Sequence, residues 1–173
     1  MVMAIIRTLN GITPRIGKNT FLAESAAIIG DVAIGRDCSV WYSAVLRGDV
    51  NRITVGDRVN IQDGAVIHTL YQRSVTVIGN DVSVGHNANI HGATIEDRCL
   101  IGMGATVLDH AVVGTGSIVA ANSLVLTGTV IEPGSVYAGV PAKRVKDVTP
   151  EQVRDIIERT ARDYMMYASW YKE

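Results

Sequence analysis

Branched apolar residues recur at every sixth position over much of the chain, beginning Ile16, Leu22, Ile28, Ile34, Val40 and Leu46. The series resumes at Val55, Ile61 and Ile67, and again at Ile78, Val84 and Ile90. One step of five then leads to Ile95, from which it runs on to Ile131. Four positions beyond most members sits a small side chain, among them Ala26, Cys38, Ala44, Ala65, Ala88, Cys99 and Ala105. A helix repeats its apolar face every 3.6 residues and a strand every two, so a sustained six fits neither alone. It fits a short strand and a tight turn, repeated, with the branched and the small residue of each unit facing a narrow interior. Glycine often follows the branched residue directly, as at Gly56, Gly79 and Gly102, where a turn begins.

The rhythm resembles the hexapeptide repeat of left-handed parallel β-helices, which build a three-sided prism from three repeats per coil. The left hand rests on that resemblance, because the general crossover rule favours the right. About nineteen repeats predict roughly six coils, stacked at the inter-strand spacing of about 4.8 Å. The expected fold is therefore mainly β, a left-handed parallel β-helix over residues 1–148. Residues 149–173 change character. Thr149, Pro150 and Gln152 read as an N-cap, a first-turn proline and the far half of a capping box. Val153, Ile156, Ile157, Thr160, Ala161, Tyr164, Ala168 and Tyr171 then form one stripe at helical spacing. The expectation is a C-terminal α-helix in the same domain, packed on a prism face or on a neighbouring subunit.

The 173 residues suit one domain with a real core. A net charge of −1 without Lys or Arg runs argues against a nucleic-acid groove or an anionic membrane surface. The opening residues are too polar for a signal peptide and no apolar run approaches a membrane span, so a cytoplasmic protein is expected. Cys38 and Cys99 fall on small inward positions and read as inert core thiols.

Three of the four histidines, His68, His86 and His91, fall between Ile61 and Gly92. Neutral imidazole is the commonest protein ligand for zinc and suits related divalent metals, and three ligands with an open fourth position is the catalytic arrangement. With three repeats per coil, Leu46, Ile67 and Ile90 share a face, so Arg47, His68 and His91, which follow them, form a vertical stack. Ile61 and Val84 share another face, with Asp63 and His86 two positions beyond each. His68 and His91 can therefore share one cation, and the simplest way to complete the site is His86 from a neighbouring subunit around a threefold axis. His110 reads as a surface residue.

Arg47–Gly48–Asp49, Asn60–Ile61–Gln62–Asp63–Gly64, His68, and the run from Gly85 to Gly92 together resemble the signature of γ-class carbonic anhydrases, and the likeness covers nearly the whole chain. That resemblance implies a homotrimer with metal at the subunit interfaces, zinc or else Fe2+ or Co2+, acting on CO2 and bicarbonate. Such a metal lowers the pKa of bound water from 15.7 to about 7, and the hydroxide so formed attacks CO2. Gln62 would then hydrogen-bond the bound water or bicarbonate, and Tyr164 is a further candidate partner. Arg47 and Asp49 read as an ion pair holding the trimer, with Asp63 as an acceptor that orients a histidine. Val50 and Tyr71 stand where the prototype of that class carries acids for proton transfer, so slow hydration or dependence on added buffer is expected. Other readings remain: an acyl-CoA-dependent acyltransferase, suggested by Ala138 to Val145, a metal-dependent thioester hydrolase, or a non-catalytic trimeric module.

Overall fold

The computed structural model describes residues 3–171, so Lys172 and Glu173 of the expected helix lie outside the described residues. Each six-residue unit forms a strand of two or three residues whose backbone bonds to the equivalent strands one coil above and one below. Three faces result. The first includes Val66–His68, Asn89–His91 and Thr106–Val107. The second includes Thr76–Ile78, Thr94–Ile95 and Val112–Val113. The third runs from Phe21–Leu22 to Ser135–Gly139, where Ala142–Asp147 adds an antiparallel strand. Two longer strands, Ala27–Ile34 and Val45–Val55, bend round the edge between the first and second faces. All other pairings between coils are parallel, apart from one isolated bridge near the N-terminus.

The prism has about seven coils rather than six. The branched series starts only at Ile16 and stops at Ile131, whereas Ile5–Arg7, off the six-residue step, and Ser135–Gly139, where Tyr137 takes the branched position, also stack in register. Inside, Ile28, Leu46, Ile67, Ile90 and Ile101 are fully buried, alternating with Ala26, Ala44, Ala65, Ala88 and Ala105. The small residue leaves room that the branched one fills, which keeps a narrow prism close-packed. Cys38 and Cys99 sit in this core as expected, each thiol donating to carbonyls and each pushed up to about 11 by burial. Glycine is required where coils nearly touch: a Cβ on Gly35 would run into the backbone of Gly56.

Every departure from the six-residue step falls on one edge. Leu46 to Val55, Ile67 to Ile78 and Ile90 to Ile95 are all passages from the first face to the second. That edge absorbs the changes in step: the register shifts there between Gly30 and Val32, and from Ile67 to Ile78 the chain leaves the stack as a turn.

The C-terminal helix begins as the sequence predicts. Thr149 accepts from the Gln152 backbone N–H, while the Gln152 side chain accepts from the Thr149 N–H. It continues as a wider π-helical stretch, Val153–Glu158, in which the N–H that follows, that of Arg159, reaches back to the carbonyl of Arg154. The sequence carried no sign of this stretch. An α-helix, Arg159–Ser169, completes it. Ile157 packs with Ile118 and Val136 on the third face, and Tyr171 packs on Phe21 and Trp41 at the opposite end. The fourteen residue steps from Ile157 to Tyr171 span about 21 Å of helix, against about 24 Å for the coil steps between the same contacts. The helix thus lies antiparallel to the stacking direction. Thr149→Ala is expected to lower stability by about 1 kcal/mol, read from the urea midpoint, because it removes the cap.

Candidate metal centre

The parallel register that pairs Ile67 with Ile90 also pairs His68 with His91. Their side chains leave the first face at the irregular edge, and His68 Nδ1 lies 3.1 Å from His91 Nε2. The outer nitrogens are taken. His68 Nε2 meets Asp49 Oδ1 at 2.9 Å, and His91 Nδ1 meets Asp109 Oδ2 at 2.9 Å. Asp49 also pairs with Arg47. Burial pushes the Asp49 carboxyl up, but hydrogen bonds from His68 and Arg47 and the guanidinium charge outweigh it and hold it below its usual range. Burial likewise raises Asp109, and bonds from Ser74 and His91 bring it below its usual range.

Two carboxylates that accept from the outer nitrogens leave lone pairs on the two inner ones. Lone pairs facing each other at that distance repel, and only a proton or a cation between them makes the contact favourable. Two nitrogens on a tetrahedral zinc, each at 2.0–2.1 Å, stand about 3.3–3.4 Å apart. The observed gap lies within a few tenths of an ångström of that, and imidazoles backed by carboxylates are the usual second half of such a site. The residues fit a divalent cation.

His86 sits on the edge beyond the third face, with Nδ1 at 2.9 Å from Asp63 Oδ2 and Nε2 at 3.4 Å from the Tyr164 hydroxyl. Its side chain is 39% exposed against 18% for His68, so it faces outward rather than toward the pair. Among the described residues of the single chain, no three His, Cys, Asp or Glu side chains converge on one point. Burial, then the nearby charge of Asp63, pushes the Tyr164 hydroxyl up to about 12, so it stays protonated and can donate to His86. Gln62 is buried between the helix and the third face: its Nε2 donates to Asn60 Oδ1, and its Oε1 accepts the His86 backbone N–H. Asn60 in turn donates to Ser83. His110 is exposed on a turn.

Reading the sequence missed two contacts. Asp49 was expected only as the partner of Arg47, yet it also holds His68. Asp109 was not singled out, although extending the column by three repeats from Ile90 reaches Val107, two residues before it.

Stacked hexapeptide units bearing a carboxylate-backed histidine pair on one edge define a left-handed β-helix protein of the hexapeptide-repeat class. The family model described as bacterial transferase hexapeptide (six repeats) matches residues 75–109 and 92–127. A probable carbonic anhydrase of Methanocaldococcus jannaschii is 54% identical, the match covering 85% of this chain and 92% of that one. The chain belongs to the γ-class carbonic anhydrase family. Gamma carbonic anhydrase 2, mitochondrial, of Arabidopsis thaliana is 46% identical over 90% of this chain, which spans only 58% of that relative's length. A solved hexapeptide transferase family protein from Anaplasma phagocytophilum superposes with a TM-score of 0.92 at 39% identity, covering 96% of this chain and 98% of that one. No helix among the described residues is long and apolar enough to cross a membrane.

Proposed function

We propose that this protein catalyses the reversible hydration of CO2 to bicarbonate at three-histidine metal sites shared between the subunits of a homotrimer. The observation that carries the reading is the 3.1 Å approach of His68 Nδ1 and His91 Nε2 with both outer nitrogens on carboxylates. His68 and His91 of one subunit and His86 of the next hold the cation, which is zinc, ferrous iron or cobalt. A divalent cation held by three imidazoles supplies Lewis acidity that lowers the pKa of water to about 7. Asp49 and Asp109 fix the tautomers that leave the ligating nitrogens bare, and Asp63 does the same for His86 through Nδ1. Gln62, clamped by Asn60 and the His86 backbone, keeps one amide N–H for an oxygen of CO2 or bicarbonate. Val50 and Tyr71 offer no carboxylate to carry the proton away, so turnover depends on buffer.

A second reading rests on a groove of about 400 Å³ beside His86, walled by Leu100, Met103, Ile118 and Tyr164. Its apolar lining suits an acyl chain, and the same site would then cleave a thioester. Elemental analysis of protein purified without chelators, with CO2 hydration kinetics at rising buffer concentration, tests the first reading. About one metal per chain and a rate that climbs with buffer are expected. Stoichiometric metal with no hydration but thioester cleavage favours the second reading, and protein that never takes up metal refutes both.

A further inference from the structure

The passage from Ile67 to Ile78 is the longest irregular step at the edge between the first and second faces, and its last turn does more than connect two strands. The Leu70 N–H donates to Ser74 Oγ at 2.9 Å, and Ser74 Oγ–H donates to Asp109 Oδ1 at 2.6 Å. Asp109 Oδ2 accepts from His91 Nδ1. With Ser74 donating to one oxygen, the ionised carboxylate offers its other oxygen to His91 Nδ1, which favours the Nδ1–H tautomer and turns the Nε2 lone pair toward a cation. Gly92, next to His91, leaves the space for this arrangement. It adopts φ +60°, and a Cβ there would overlap Asp109 Oδ1 and Ser74 Oγ together. The same loop reaches the other ring's backbone, since Thr76 Oγ1 donates to the His68 carbonyl and accepts the Gly92 N–H.

We propose that Asp109 is a positioning residue, and that Ser74 of the inserted loop locks it, so that loop and histidine form one unit presenting His91 Nε2 for coordination. The proposal rests on the metal reading above, since it assigns the unit a cation to face. Asp109→Ala is expected to weaken metal affinity 10–100-fold, as loss of a carboxylate behind a histidine ligand generally does. Asp109→Asn, which keeps an accepting oxygen, should recover most of that loss. Ser74→Ala should weaken affinity by less than Asp109→Ala and speed exchange of the Leu70 amide.

The test combines metal dissociation constants, from competition with a chelator, with the His91 tautomer read by long-range proton–nitrogen NMR on full-length metal-free protein carrying 15N-histidine. Wild type should show Nδ1–H, and Asp109→Ala should lose that preference. An unchanged tautomer and unchanged affinity in a folded Asp109→Ala protein would overturn the proposal. So would a full loss of affinity in Asp109→Asn with the tautomer intact. Wild type that retains no metal, yet shows the tautomer change in Asp109→Ala, would refute the metal reading and leave the positioning role standing.

Discussion

Replacing His91 with alanine is expected to remove tightly held metal and CO2 hydration together, while the prism stays folded. A structural four-ligand zinc site is worth about 10–16 kcal/mol, or about 2.5–4 kcal/mol per ligand, so losing one imidazole weakens binding by a factor of about 10²–10³. His68 alone then keeps one nitrogen directed at the site, with His86 arriving from elsewhere. Truncation at His91 deletes no core volume, because the side chain leaves the edge outward and is about one-third exposed. Metal content after dialysis and the hydration rate should therefore fall, with the far-ultraviolet circular dichroism unchanged. Metal retained at the wild-type level would refute the assignment of this histidine.

One residue earlier the balance reverses. Ile90→Ala is expected to cost about 2–5 kcal/mol of stability, the range for emptying a filled core position. Ile90 is fully buried between Ile67 above and Val107 below, and each coil offers only one branched residue per face. No neighbouring side chain lies on the same level of that face to close the gap, so the cavity persists. Chemical denaturation should show the midpoint falling with an unchanged slope. A loss under 1 kcal/mol would mean that the interior relaxes more than a close-packed prism allows.

The stack of coils was legible because the inward residues must repeat with the coil. Wherever Ile or Val returns at six, the strand is in place. The two end coils were harder to see: Ile5–Arg7 lies ten residues ahead of the first regular step and stacks on a neighbour from one side only, and in Ser135–Gly139 the branched residue gives way to Tyr137. The histidine pairing followed from counting repeats, because His68 and His91 sit at the same place in units three apart. Their carboxylates were harder to see. Asp49 lies in the lengthened step from Leu46 to Val55, where the insertion breaks the arithmetic that would place it opposite His68, whereas Asp109 lies in a regular step and outside the histidine-bearing stretch. The helix start was legible from Thr149 to Gln152, whose cap chemistry is local. The π-helical stretch was not, because its Ile157 must meet Ile118 and Val136 on the third face, a tertiary contact that no local residue pattern announces.

A coil that touches only its neighbours has nothing to prevent the outermost turns from opening first, as in other linear arrays. Here a single rod touches both extremities, through Tyr171 against Phe21 and through Ile157 against Ile118 and Val136. Opening either extremity must also peel the rod away, so the two distant ends are coupled and the array melts as one body. The edge that carries His68 and His91, midway along, inherits the rigidity of both.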